Sequence, residues 1–186
     1  MAAARRKAAG REPVGEPVVY GTLRSPWGRL WVAASGRGLV ALSFRPQPAG
    51  RLAEGLAGRV PVVFVRGGHG LAEYETALAA FLDGRTTRLS LPVDLRGVGE
   101  FAVRVYEATR AIPWGETRSY AEVAEAVASR RHARAVGQAL ADNPVPIVIP
   151  CHRVVASRGG LGGFSAGLVW KRRLLALERG QQVLEM

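Results

Sequence analysis

Apolar and polar positions change rhythm along this chain, and the changes mark its elements. Val18 to Leu23, Leu30 to Ala34 and Leu39 to Phe44 are short apolar runs rich in strand-forming residues. Ser25-Pro26-Trp27-Gly28 and Ser35-Gly36-Arg37-Gly38 separate them. Runs bounded by Gly, Pro and Ser read as strands joined by tight turns, here a three-strand antiparallel meander. Val60 to Val65 predicts one further strand. The period then shifts. Leu71, Tyr74, Leu78, Phe81 and Leu82 recur at helical spacing, and Gly84 is placed to end that helix. This α+β segment closes near Pro92 and holds no cluster of chemically competent side chains. It reads as a scaffold.

The second half reads as helical. Phe101 to Ala111 predicts one helix, stopped by Pro113-Trp114-Gly115. Ser119-Tyr120-Ala121-Glu122 has the pattern of a capping box, which opens a helix running to about Ala128. Ser129-Arg130-Arg131 turns into a second helix from about His132 to Ala141. Asp142-Asn143-Pro144 stops it, because the residue before proline is pushed out of the helical region. Two short helices across a tight turn form a helix-turn-helix pattern. A last helix spans about Leu168 to Arg179. The expected organisation is a flexible basic tail over 1–17, a scaffolding domain over 18–92 and a chemically active domain over 97–180.

Composition narrows the class. The chain has 186 residues, 48% of them apolar, enough for one domain or two small ones. No apolar run is long enough to span a membrane. Met1 to Lys7 lacks the apolar stretch of a secretory signal, so a cytoplasmic, reducing compartment is expected, on the nucleoid in a prokaryote. The net charge of +11 suits a polyanionic partner, since neutralising phosphates releases counterions. An arginine-rich composition with no such partner would look the same.

The one cysteine, Cys151, lies in Ile147-Val148-Ile149-Pro150-Cys151-His152-Arg153-Val154. A single thiol excludes an internal disulfide and a multi-cysteine metal site. Neighbouring His152 and Arg153 could favour the thiolate, which is the reactive form. A buried structural cysteine is the alternative on these residues alone.

The surrounding blocks decide between them. Asn143 to Val154 resembles the active-site segment of the O6-alkylguanine-DNA alkyltransferases, the methylated-DNA–protein-cysteine methyltransferases. Gly115-Glu116-Thr117-Arg118-Ser119-Tyr120 and Ala133-Arg134-Ala135-Val136-Gly137 continue the likeness upstream. Gly163-Phe164-Ser165-Ala166-Gly167-Leu168 and Lys171 to Glu178 continue it downstream. The resemblance implies a ribonuclease-H-like N-terminal domain without nuclease activity. It implies a mostly helical, winged-helix-like C-terminal domain carrying the helix-turn-helix.

It also implies site roles. Cys151 is the alkyl acceptor, His152 its base through a water, and Glu178 the group that orients His152. Tyr120 presses on the target phosphate and donates to guanine N3. Asn143 ties the recognition helix to the active-site loop. Ala133, Ala135 and Gly137 let that helix approach the minor groove, while Arg134 fills the gap left by a flipped base. The Ser165 N–H meets guanine O6, and the carbonyls of Cys151 and Val154 accept from the exocyclic amine. Phe164 walls the pocket where many relatives carry tyrosine. Gly159, Gly160, Gly162 and Gly163 let the loop wrap the base.

The implied reaction moves the alkyl group of O6-methylguanine, and also of O4-methylthymine, irreversibly to Cys151 with no cofactor. The implied partner is double-stranded DNA containing O6-alkylguanine, bound by a monomer with room for cooperative binding along the DNA. The zinc site of some relatives is not expected, because the N-terminal half offers no cysteine and only His69. His69 and His132 read as solvated or capping residues. Between Cys151 and His152, an extended backbone would aim the side chains apart, so a bend or a water is required. Three rivals remain: a lesion-binding relative without the cysteine, a cysteine hydrolase and a transcriptional regulator. The cysteine, the helix-turn-helix block and the small residues of the recognition helix argue against them in turn.

Overall fold

The computed structural model describes residues 15–48, 51, 62–67 and 69–181. Its N-terminal part is a four-stranded sheet in the order β3-β2-β1-β4. β1 (Glu16–Ser25), β2 (Gly28–Ser35) and β3 (Gly38–Ser43) form the antiparallel meander. β4 (Val62–Arg66) pairs in parallel with β1, so the sheet is mixed. Apolar runs carry no sign of strand direction, and the sequence reading gave none for β4. Val60 and Pro61 lie outside the described residues. β1 begins inside the segment assigned to the basic tail: Glu16 pairs with Val62, and Arg96 grips its carboxylate at 2.7 and 2.9 Å.

Alternation sorts the strands' side chains to two faces. Leu23, Leu30, Val32, Ala34, Leu39 and Leu42 join the main core, and Val18, Ala33, Val40 and Ala41 a second cluster across the sheet. A short 3-10 turn over His69–Leu71 leads into α1 (Ala72–Leu82), which buries Leu78, Phe81 and Leu82. Gly38 explains how the chain returns along the sheet. Its φ is +142°, and a Cβ there would lie 2.5 Å from the Pro92 backbone. Only glycine lets Pro92 and Val93 cross so near. There Leu39 donates to Pro92 and accepts from Asp94.

The C-terminal part is helical. α2 (Glu100–Arg110) buries Val105, Tyr106 and Thr109. α3 (Tyr120–Val127) opens on a complete capping box: Glu122 N donates to Ser119 Oγ at 3.2 Å, and Ser119 N to Glu122 Oε2 at 2.7 Å. His132 closes the following turn through Nδ1, 2.8 Å from Ser129 Oγ, and stands at the N-cap position of α4 (Ala133–Ala141) without a side-chain hydrogen bond to that helix. α4 packs Val136, Ala139 and Leu140 inward and leaves Arg134 and Ala135 exposed. α5 (Leu168–Glu178) completes the core with Leu174 and Leu175.

Two links fix the chemistry between these layers. β5 (Arg118–Ser119) pairs in parallel with β6 (Val154–Val155), joining the start of α3 to the segment after the cysteine. Leu42 N of β3 donates to Pro144 O at 2.8 Å, so the sheet edge holds the turn before the cysteine. No helix among the described residues is long and apolar enough to cross a membrane.

Candidate active site

Cys151 opens a 3-10 turn, Cys151–Arg153, whose three residues are all buried. The backbone therefore bends here, one of the two arrangements, bend or water, that the sequence left open. The turn is approached through Ile147, which has φ of +74°, an uncommon and costly conformation for a β-branched residue. Asn143 holds this approach. Its Nδ2 donates to Ile149 O at 2.9 Å and its Oδ1 accepts from Val145 N at 3.0 Å. The same Nδ2 lies 3.1 Å from Cys151 Sγ. The tie to the loop was expected; the contact with sulfur was not.

The thiol is nearly enclosed. Burial pushes its pKa up to about 11. The Asn143 amide, the Lys171 charge and the backbone N–H groups of Cys151 and His152 pull the other way, toward thiolate. The resting site thus holds a neutral thiol surrounded by groups that favour its anion.

Behind the thiol lies a buried charge cluster. His152 Nε2 is 2.7 Å from Glu178 Oε1. Arg153 meets the same carboxylate through Nε at 2.9 Å and Nη2 at 2.9 Å, and donates from Nη1 to Ile112 O at 2.6 Å. Gly115 N donates to Glu178 Oε2 at 3.0 Å. Burial alone would raise the Glu178 pKa, but His152 and Arg153 outweigh it and hold it below the usual value. Burial keeps His152 below its usual pKa despite Glu178. A neutral imidazole facing a carboxylate through Nε2–H leaves Nδ1 as the acceptor. Nδ1 is buried and has no hydrogen-bond partner among the described residues. That tautomer is what a base for the thiol requires.

A cavity of about 70 Å³ opens onto Cys151, lined by Tyr120, Gly137, Leu140, Ala141, Gly163, Phe164 and Ser165. Tyr120 Oη reaches Gly163 O at 3.4 Å and closes one side. Gly162 makes this closure possible. Its φ is +69°, and a Cβ would stand 2.8 Å from Tyr120 Oη. Val154, the first residue of β6, is buried, and its carbonyl accepts from Lys171 Nζ at 2.6 Å.

Lys171 is the residue that sequence reasoning passed over. It is fully buried, and its Nζ also donates to Gly163 O at 3.0 Å, so it staples β6 to the glycine loop. Burial lowers its pKa to about 8. A signal was available: of 26 basic residues only Lys7 and Lys171 are lysine. A lysine kept among arginines marks a place for a compact ammonium. Among the described residues no group of three or more His, Cys, Asp or Glu could hold a metal.

Two family descriptions match the chain in succession. Residues 18–95 match "6-O-methylguanine DNA methyltransferase, ribonuclease-like domain", and residues 100–180 match "6-O-methylguanine DNA methyltransferase, DNA binding domain". A methylated-DNA–protein-cysteine methyltransferase of Sulfurisphaera tokodaii is 37% identical over 161 residues, spanning 87% of this chain and 93% of the relative. The chain belongs to this family. A methyltransferase of the same name from Mycolicibacterium paratuberculosis is 50% identical over 102 residues, and the match spans 55% of this chain and 61% of that relative. The crystal structure of Mycobacterium tuberculosis OGT in complex with DNA superposes with a TM-score of 0.72 at 35% identity, covering 89% of this chain and 95% of that one. The methyltransferase family thereby accounts for the α+β fold, with its sheet-bearing first part and helical second part.

Proposed function

We propose that this methyltransferase repairs duplex DNA directly, moving the methyl group of O6-methylguanine to Cys151 once per molecule. The observation that carries the reading is the single cysteine at a cavity between Tyr120 and Phe164, with the His152–Glu178–Arg153 cluster behind it. The cavity has room for only a few waters, so a flipped base must part its walls. The long 3.4 Å contact of Tyr120 with Gly163 is the hydrogen bond that yields.

α4 supplies the DNA contact. Ala133, Ala135 and Gly137 keep its surface small, and exposed Arg134 replaces the stacking lost when the base leaves the duplex. Tyr120 donates to guanine N3 and Ser165 N–H to O6. The carbonyls of Cys151 and Val154 accept from the exocyclic amine, with Val154 O shared between that amine and Lys171.

The proton and electron changes balance without a cofactor. The Cys151 thiol gives its proton through a water to His152 Nδ1, and Glu178 stabilises the imidazolium. Sγ attacks the methyl carbon, the C–O6 bond breaks, and its electron pair returns to the base. The proton ends on guanine N1. The thioether left on Cys151 offers no route back to a thiol, so the molecule is spent. O4-methylthymine carries the same kind of methyl and is a second substrate. The protein acts as a monomer, and its affinity falls steeply with salt because phosphate contacts drive binding.

The test is transfer of labelled methyl from a duplex oligonucleotide containing one O6-methylguanine. Label should move to the protein and stop at one equivalent. Cys151→Ala should accept none while still binding DNA. Repeated turnover, or removal of the lesion by Cys151→Ala, overturns the reading.

A further inference from the structure

A row of aromatic rings runs from the cavity wall into the N-terminal sheet. Phe164 lines the cavity beside Cys151. Phe44, just past β3 and 7% exposed, stands next to it with ring centroids 6.4 Å apart at 56°. Phe44 then stacks on Trp170 of α5 at 4.3 Å and 35°. Trp170 meets Trp27, from the β1–β2 turn, at 6.0 Å. The Arg173 guanidinium lies over Trp27 at 4.6 Å and over Trp170 at 5.5 Å, capping the row. Such ring pairs and cation contacts each add to ordinary burial.

From this we infer that Phe44 sets how large an O6 substituent the cavity accepts, by holding Phe164 against it from behind. The inference rests on the alkyl-transfer reading above. The glycines around Phe164 would otherwise let its loop retreat: Gly162 sits at φ of +69°, and Gly163 has nothing within 4 Å of an added Cβ. Close packing transmits a change of volume to the neighbouring wall. Phe44 does not line the cavity itself, so it is a positioning residue. The N-terminal sheet, which carries no reactive cluster, thereby takes a part in substrate selection.

The experiment uses the full chain and two duplex oligonucleotides, one with O6-methylguanine and one with O6-benzylguanine. Single-turnover rates of Cys151 alkylation give a benzyl-to-methyl ratio for each variant. Phe44→Ala should raise that ratio about tenfold, the lower end of what pocket fit commonly discriminates. Trp27→Ala loosens the far end of the row, keeps the Phe44–Phe164 contact and should leave the ratio at the wild-type value. If Phe44→Ala does not fold, Phe44→Leu must shift the ratio in the same direction. A folded Phe44 variant with the wild-type ratio overturns the inference. So does a Trp27→Ala ratio that rises as far as that of Phe44→Ala, because the effect would then be general loosening. A wild-type protein that alkylates Cys151 from neither duplex would instead defeat the underlying transfer reading.

Discussion

Replacing Glu178 by glutamine separates a buried hub from an ordinary helix end. Both carboxylate oxygens face donors: Oε1 meets His152 Nε2 and Arg153 Nη2, and Oε2 meets Gly115 N and Arg153 Nε. A glutamine NH₂ must occupy one of these places and oppose a donor in either orientation. Its loss of charge also strands the Arg153 guanidinium, whose side chain is only 9% exposed. Breaking a buried pair from one side costs about 3–5 kcal/mol. For a chain of this size that corresponds to a fall in Tm of roughly 6–20 °C. Urea unfolding at pH 7 measures it. Arg153→Met in the same chain removes the stranded charge, so the double variant should lose less than the sum of the singles.

The acid limb gives a second readout. The folded pKa of Glu178 lies below the unfolded value of 4.5, so its stabilisation is complete above that value. It is lost as pH falls through the lower, folded pKa. Glu178→Gln should lack this loss. His152, also lowered, works in the same direction, with its contribution complete above 6.5. A Glu178→Gln cost below about 1 kcal/mol, the value of an exposed pair, would refute the buried-hub account.

Three further outcomes follow from the site. Gly162→Ala should cost at least about 1 kcal/mol and slow alkyl transfer by displacing Tyr120, whereas Gly163→Ala, in open space, should be nearly neutral in urea unfolding and in rate. Asn143→Ala removes the amide beside Sγ, so the thiol should titrate still higher and iodoacetamide should react more slowly at fixed pH; an unchanged pH profile would count against the contact. Lys171 titrates near 8 when folded and 10.5 when unfolded, so the unfolded chain binds more protons between these values. Stability should gain a rising component over that window, and Lys171→Met should remove it in pH-dependent unfolding.

Much of this was legible in the sequence, because local rules governed it. Ser119 and Glu122 announce their capping box, and the residue before Pro144 stops α4 where chain geometry requires. The motif blocks, in the order and spacing of the family they resemble, brought Cys151, His152 and Glu178 into view together. What stayed hidden depends on distant partners. Glu178 in a final helical turn opposes the helix dipole and looks like a solvated end until Arg153 and Gly115 fold over it. The direction of β4 and the β5–β6 pairing are set by tertiary contact rather than by pattern. The bend at Cys151 arises in a loop with no periodicity to read. Lys171 was obscured for the opposite reason: a lysine beside arginines looks like surface charge, and only its rarity in this chain sets it apart.

The most direct test of the account is mass spectrometry of the intact protein and its peptides after mixing with a duplex carrying one O6-methylguanine. The account predicts one added methyl per molecule, on the peptide containing Cys151, and an oligonucleotide restored to guanine. An unmodified Cys151 in reduced protein that still binds the lesion, or a methyl mapped to any other residue, would contradict it.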